Sequence, residues 1–77
     1  MGEPVGIIDQ VLEVVAEIVE VDRAGLTEAT VLAEIGWDSL AAVSFIAAAD
    51  ERFGKAVAPK RLATCVTVAD LAAIIQQ

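Results

Sequence analysis

Hydrophobic residues recur in the first third of the chain with the spacing of a helix. From Val5 to Val21, apolar residues fall on one half of a helical wheel and acidic residues on the other. The apolar half contains Ile7, Ile8, Val11, Leu12, Val14, Val15, Ile18 and Val19, and the acidic half contains Asp9, Glu13, Glu17 and Glu20. Because the adjacent Val14 and Val15 break the two-residue alternation of a strand, the pattern predicts an amphipathic helix.

The next stretch, from Asp22 to Trp37, lacks a regular apolar period and predicts a long connection. Thr27 or Thr30 is placed to cap a short turn of helix. Four apolar residues are expected to hold the connection against the core, namely Leu26, Val31, Leu32 and Ile35. A connection this long in a compact domain is usually functional, and this one leads directly to Ser39.

A second helix is predicted to begin near Ser39 and to end at Gly54, a residue type suited to the position after a helix. From Leu40 to Ala49 it carries no charge and is apolar on nearly every side, so more than one face should be covered. The predicted core face contains Ala42, Phe45, Ile46, Ala49 and Phe53, with Val43 at its edge. The predicted exposed face, available to a partner, contains Leu40, Ala41, Ser44, Ala47, Ala48 and Glu51.

Two further helices are predicted near the end of the chain. Pro59 suits the first position of a short helix that ends at Ala63. The sequence from Thr67 to Asp70 resembles a capping box and opens a last helix. The apolar stripe of that helix contains Val68, Leu71, Ala72 and Ile75. Together these patterns predict an all-α fold of three main helices and one short helix, in a single domain spanning residues 1–77.

Length and composition narrow the possible functions. A domain of 77 residues leaves no room for a deep active site, so an enzyme is not expected. The chain has no His and one Cys, which argues against a metal site and against a Cys–His nucleophile, so Cys65 is interpreted as a small buried residue. No apolar run reaches the roughly 20 residues of a membrane span, and no basic region followed by an apolar core indicates a signal peptide, so a cytoplasmic protein is expected.

The net charge of −7 is unevenly distributed. Residues 1–51 hold eleven acids and one base, Arg23. Residues 52–77 hold the bases Arg52, Lys55, Lys60 and Arg61 and the single acid Asp70. Because an acidic body is repelled by nucleic acid and by anionic membranes, neither is expected as a partner. The charge favours approach to basic protein surfaces instead.

Ser39 is the candidate for chemistry, because it lies at a predicted helix start beside Asp38. Both residues are good helix caps, so a purely structural role is the simpler interpretation of this pair taken alone. A serine hydrolase needs a base next to the serine, and a chain without His supplies a poor one. An attachment point is the other possibility, since the free N–H groups and positive dipole end of a helix start tolerate an attached phosphate diester.

The sequence Gly36-Trp37-Asp38-Ser39-Leu40, the apolar helix ending at Phe53-Gly54 and the Thr67-Val68 helix start together resemble an acyl carrier protein. The resemblance covers almost the whole chain and implies a four-helix bundle with a short third helix. It implies that Ser39 carries 4′-phosphopantetheine, transferred from coenzyme A by a phosphopantetheinyl transferase, and that the arm's thiol holds an acyl group as a thioester. The carrier itself is then not a catalyst. Asp38 matches the acidic residue before the serine, where peptidyl carriers more often have Gly.

The resemblance also implies partner enzymes, namely an acyltransferase or ligase and ketosynthase-type or other acyl-processing enzymes, which a monomeric carrier would meet in turn. The residues expected to dock these partners are Trp37, Leu40, Ala41, Val43, Ser44, Ala47, Ala48 and Glu51. Many fatty-acid carriers have acidic residues at the positions of Ala41 and Ser44 and along the third helix, where this chain has Lys60 and Arg61. A specialised set of partners is therefore expected.

Trp37, in place of a small or aliphatic residue, resembles stand-alone carriers of specialised pathways such as polyketide or sugar-tailoring systems. The start at Met1 and the end soon after the last helix favour a free-standing protein. Two alternatives stay open at this point. One is a peptidyl carrier protein, and the other is an unmodified helical module that binds a partner through the face from Leu40 to Ala48.

Overall fold

The computed structural model describes residues 6–76, and over that range it contains four α-helices. They are α1 (Ile7–Val19), α2 (Ser39–Phe53), α3 (Pro59–Leu62) and α4 (Val68–Gln76). Two 3₁₀ turns, Arg23–Gly25 and Leu32–Ile35, lie in the connection between α1 and α2. The predicted all-α fold with three main helices and one short helix is confirmed. The short helix α3 ends one residue before the predicted Ala63.

The first helix ends earlier than predicted, at Val19 rather than Val21. Glu20 takes the left-handed conformation with φ of 58°, which a helix cannot continue through. The Val21 N–H then donates to the Ala16 carbonyl at 3.1 Å and closes the helix end. The predicted start at Val5 lies outside the described residues.

The hydrophobic core lies where α1 packs against α4 and α2. Its largest fully buried side chains are Phe45, Leu71, Val11, Val14, Val15 and Val68. The buried side of α1 is the predicted apolar half, and α4 buries its predicted stripe together with Ile74. The helical spacing of the apolar residues therefore predicted the inward faces of both helices correctly.

The core face of α2 is rotated relative to the prediction. Its buried residues are Ala41, Phe45 and Ala49, an i, i+4 row. The side chains that are only partly buried are Ala42, Ile46, Ala48 and Phe53. The expectation that Ala41 is exposed is wrong, and so is the full burial expected for Phe53. The helix packs against both α1 and α3, so its buried row is set by two neighbours rather than by one apolar face.

Backbone hydrogen bonds tie the long connection to the start of α4. The Leu32 N–H donates to the Val66 carbonyl at 2.8 Å, and the Val68 N–H donates to the Thr30 carbonyl at 3.1 Å. Of the apolar residues expected to hold the connection, Leu26 and Leu32 are buried, and Val31 and Ile35 are partly buried. The connection is thus a fixed part of the fold, and it brings Ser39 to a defined place.

Thr27 and Thr30 do not cap the 3₁₀ turns, so that expectation is wrong. The Thr30 Oγ1 accepts from the Thr27 N–H at 2.9 Å, and the Thr27 Oγ1 accepts from the Ala29 N–H at 3.2 Å. Both threonines therefore stabilise their own tight turn. Asp22 caps the first 3₁₀ turn instead, because its carboxylate accepts from the Ala24 N–H at 3.0 Å.

At the start of α4, the acidic residue of the predicted capping box, Asp70, bonds to the backbone as expected. The Asp70 carboxylate accepts from the Val66 N–H at 2.8 Å and from the Thr67 N–H at 3.0 Å. Both bonds hold the pKa of Asp70 below its ordinary value, and the bond from Val66 has the larger effect. The same carboxylate thus orders the segment that bonds to the long connection through the Val66 carbonyl and the Val68 N–H.

We expect Phe45→Ala to lower the free energy of unfolding by about 3 to 5 kcal/mol, because this ring is fully buried at the centre of the fold. Phe53→Ala is the matched control, since it removes the same atoms from a half-buried position and should cost less. Equilibrium unfolding in urea measures both losses. Equal losses for the two variants would contradict the packing of α2 described above.

The contribution of Asp70 should depend on pH. A carboxyl whose pKa is lowered by folding stabilises the fold above the ordinary Asp pKa of about 3.9, and this contribution is lost as the pH falls through the lowered value. We therefore expect Asp70→Ala to melt below the wild type at neutral pH, with a gap that narrows under acid conditions. Thermal melts across this range measure the gap. A gap that stays constant would show that the carboxylate charge is not involved.

Candidate functional site

The first turn of α2 is fixed by a side-chain cap. Asp38 has extended backbone angles, with φ of −132° and ψ of −171°, and its Oδ1 accepts from the Ala41 N–H at 2.9 Å. Gly36, with φ of 79°, ends the preceding 3₁₀ turn and redirects the chain toward α2. The next residue after the cap, Ser39, is the first residue of the helix and is exposed. The predicted helix start is confirmed, and Asp38 is the cap.

No hydrolytic machinery surrounds Ser39 within the part of the chain that the structure describes. None of residues 6–76 hydrogen-bonds to its hydroxyl, and the neighbouring Asp38 carboxylate is engaged by the Ala41 N–H. The same residues contain no cluster of side chains that could hold a metal ion. No helix among them is long and apolar enough to cross a membrane. The arrangement presents an accessible hydroxyl at a helix N-terminus.

A groove of about 460 Å³ opens beside Ser39, between α2, α3 and the long connection. Ser39 and Asp38 form one lip, Ile46 lies farther along α2, and Leu62 and Cys65 form the opposite wall. The sequence analysis gave no role to α3 at this site. The one residue in the sequence that could have indicated such a role is Leu62, the only large apolar residue of α3. It is buried in the structure.

Trp37 is half-buried and lines this groove. Its ring lies edge-on to the ring of Phe45, with centroids 5.9 Å apart and an interplanar angle of 64°. Such pairs contribute about 0.5 to 1.5 kcal/mol beyond the area that they bury. The indole also packs against the core, and the docking role expected for Trp37 stays a prediction.

Cys65 is also only half-buried, whereas the sequence analysis placed it inside. Its thiol donates to the Arg61 carbonyl at 3.5 Å. Burial raises the pKa of the Cys65 thiol, the Asp70 charge adds to this increase, and the Arg61 charge opposes it. The thiol therefore stays protonated at neutral pH, and a protonated thiol is a poor nucleophile.

The remaining predicted docking residues divide into two groups. Leu40 and Val43 are 74% and 61% exposed, large values for apolar side chains. The shorter or charged side chains that are also exposed are Ser44, Ala47 and Glu51. The residues that the structure removes from the exposed face are Ala41, which is 6% exposed, and Ala48, which is half-buried. An apolar, nearly charge-free face of α2 thus lies next to Ser39.

A second, smaller groove of about 300 Å³ flanks the other side of this helix start. Leu40 and Ser44 of α2 line it, together with Ile18 and Glu20 at the end of α1. The first turn of α2 therefore projects between two depressions. A partner that covers Leu40 would reach into this second groove.

We expect Asp38→Ala to lower the free energy of unfolding by about 0.5 to 2 kcal/mol, because it leaves the Ala41 N–H without its cap. Asp38→Asn is the matched control, since an amide oxygen can still accept from that N–H without carrying the charge. Urea unfolding should place Asp38→Asn close to the wild type. A loss in Asp38→Asn as large as that in Asp38→Ala would mean that charge, rather than the cap, is what stabilises this turn.

Comparison with known families accounts for this arrangement. The family model described as a phosphopantetheine attachment site matches residues 9–75, which includes the first turn of α2 and both walls of the groove. No curated protein matches the chain. Domains of this family carry a covalent 4′-phosphopantetheine group and pass the cargo on it to other enzymes without catalysing the reactions themselves. The chain belongs to the phosphopantetheine-attachment family of carrier proteins and is a carrier rather than an enzyme.

Proposed function

We propose that Ser39 carries the 4′-phosphopantetheine arm. The chain contains two serines, Ser39 and Ser44, and only Ser39 occupies the first position of a helix. Its hydroxyl is exposed beside a groove of about 460 Å³, so the flanking surface leaves space for an attached chain. Ser44 lies in the second turn of α2, away from the helix start. The position of the serine is the observation that supports this assignment.

The helix start suits the charge of the attached group. The first N–H groups of a helix have no carbonyl partner in a preceding turn, and the helix dipole is positive at that end. The Asp38 carboxylate accepts from the Ala41 N–H, and the Ala42 N–H donates to the Asp38 carbonyl at 3.0 Å. The N–H groups of Ser39 and Leu40 therefore remain to face an anion at this serine. When bound, the arm supplies a thiol that holds the cargo as a thioester.

The cargo that we propose is an acyl group of polyketide or related biosynthesis. Asp38 before the serine supports an acyl carrier over a peptidyl carrier, which is the second candidate. The family match favours either carrier over an unmodified interaction module. We further propose that the chain works as one carrier domain and as a monomer.

The partner enzymes that we propose are a phosphopantetheinyl transferase and then acyl-processing enzymes, of the acyltransferase, ligase or ketosynthase types. Leu40, Val43 and Ala47 are exposed along one side of α2 and offer them an apolar contact next to Ser39. An exposed apolar surface beside the attachment point supports recognition by shape and apolar burial. Glu51 and Ser44 provide the polar margin of this surface.

Intact-mass measurement after incubation with coenzyme A and a broad-specificity phosphopantetheinyl transferase tests the attachment. We expect the wild type to gain the mass of one arm. Ser39→Ala should fold normally and gain nothing, because it lacks the accepting oxygen. Ser44→Ala is the matched control and should be modified like the wild type. An arm on Ser39→Ala would overturn the assignment, and an unmodified wild type would overturn the proposed function.

Leu40→Ala tests the docking surface. Because Leu40 is 74% exposed, its truncation should cost far less than the roughly 2 to 5 kcal/mol of a buried leucine. We expect a slower modification rate with little change in melting temperature. Val66→Ala is the control, since Val66 is 59% exposed and lies outside the predicted docking residues. Equal rates for Leu40→Ala and the wild type would remove Leu40 from the surface that the transferase contacts.

A further inference from the structure

Leu32 joins the start of α4 to the turn that precedes Ser39. Its N–H donates to the Val66 carbonyl at 2.8 Å, and its own carbonyl accepts from the Trp37 N–H at 3.3 Å. The Leu32 side chain is buried, so packing holds this residue as well as its backbone bonds. Because Trp37 directly precedes the Asp38 cap, a movement of Leu32 would also move the first turn of α2.

Asp70 lies at the other end of this path. A single oxygen of its carboxylate, Oδ2, accepts from the Val66 N–H at 2.8 Å and from the Thr67 N–H at 3.0 Å. Hydrogen bonds to a charged acceptor are stronger than neutral ones, and the lowered pKa of Asp70 agrees with this engagement. Val66 thus bonds to Asp70 through its N–H and to Leu32 through its carbonyl.

Two further backbone bonds join the long connection to the start of α4. The Val68 N–H donates to the Thr30 carbonyl at 3.1 Å. The Ala69 N–H donates to the Glu28 carbonyl at 2.9 Å. Neighbouring bonds between the same two segments open as a cooperative unit. The carboxylate that fixes one end of the unit therefore influences all of its bonds.

Asp70 does not contact the surroundings of the serine. It is exposed, and it lines neither of the two grooves that flank Ser39. An effect of its carboxylate on the serine would therefore act through the backbone path or through charge. Substitution can separate these two routes, because asparagine keeps the accepting oxygen and removes the charge.

On the basis of the function proposed above, we infer that Asp70 is a positioning residue for the attachment of the arm to Ser39. Its carboxylate holds Val66, Val66 holds Leu32, and Leu32 holds the turn that leads into α2. The transferase then meets the serine in one place. Without the carboxylate, the bundle still folds, but the connection takes several arrangements and the transferase binds only one of them.

This role has a defined kinetic signature. An enzyme that binds one arrangement of its substrate has its apparent affinity reduced by the fraction of substrate in that arrangement. If this fraction falls to about one quarter, the KM for the carrier rises about fourfold. The kcat stays the same, because a bound serine is correctly placed. A loss of stability alone changes neither constant at a temperature where the variant is folded.

The test measures the rate of modification against carrier concentration, well below the melting temperature, with coenzyme A, a broad-specificity phosphopantetheinyl transferase and intact mass as the readout. We expect Asp70→Ala to raise the KM about fourfold with kcat unchanged. Asp70→Asn should stay close to the wild type, because its amide oxygen can accept from the same two N–H groups.

Asp22→Ala is the matched control. Asp22 caps a 3₁₀ turn of the same connection by accepting from the Ala24 N–H at 3.0 Å, outside the bonds to α4. Its substitution also removes one negative charge and one cap. Because the path from Asp70 stays intact in this variant, its KM should match that of the wild type.

Amide hydrogen exchange of the wild type supplies a readout that needs neither the transferase nor a substitution. The amides of Val66, Leu32 and Val68 should exchange with one shared opening free energy, because they belong to one cooperative unit. The Ala24 amide bonds outside this unit and should open independently.

The same measurement on Asp70→Ala follows the loosening directly. The Leu32 and Val68 amides should exchange severalfold faster than in the wild type, because the segment they bond to has lost its anchor. Val15, which is fully buried in α1, is the internal reference and should keep its rate.

Equal KM values for folded Asp70→Ala and the wild type would overturn the inference. A KM for Asp70→Asn as high as that for Asp70→Ala would assign the effect to charge, and an equal rise in Asp22→Ala would assign it to general loosening. Wild-type Val66 and Leu32 amides that open independently would break the proposed path, even if Asp70→Ala does not fold. An unmodified wild type would overturn the proposed function instead.

Discussion

The backbone hydrogen bonds between the long connection and the start of α4 are the constraint on which the site depends. A connection between two helices would be free to move if its polar backbone groups bonded only to water. Here the Leu32 N–H donates to the Val66 carbonyl, and the Val68 N–H donates to the Thr30 carbonyl. Each such bond contributes about 0.5 to 1.5 kcal/mol net. The Asp70 carboxylate holds the start of α4 in place by accepting from the Val66 and Thr67 N–H groups. The residues just before α2 are thereby held at a fixed place against the bundle.

Side-chain packing extends that constraint to the serine. Leu26 and Leu32 anchor the connection in the core, and Trp37 packs on Phe45 immediately before the Asp38 cap. The hydroxyl of the serine bonds to none of residues 6–76 and stays exposed at the end of this path. This division suits the attachment proposed for Ser39, because the scaffold would position the serine while an attached arm kept its freedom. A small domain can supply such positioning without a deep active site.

The parts that were predictable from the sequence are those with a strong local signal. The inward faces of α1 and α4 follow from large β-branched and leucine side chains at helical spacing, and the helix ends follow from Gly54, Pro59 and the Asp70 cap. The face of α2 was misplaced because five of its fifteen residues are alanines, which fit a buried or an exposed position equally well. Trp37 and Cys65 lie outside helices, so no period indicated their burial, and the groove is assembled from segments that are distant in the chain.

Gly36 shows that the approach to Ser39 is constrained by backbone handedness rather than by space. Its φ is 79°, yet a Cβ built on it would meet nothing within 4 Å. A Cβ would therefore fit the space, and the limit is the steric conflict between a side chain and its own backbone in the left-handed region. Asparagine tolerates that region far better than valine does. The tolerance of this position to change should consequently follow the intrinsic torsional preference of each amino acid for the left-handed region.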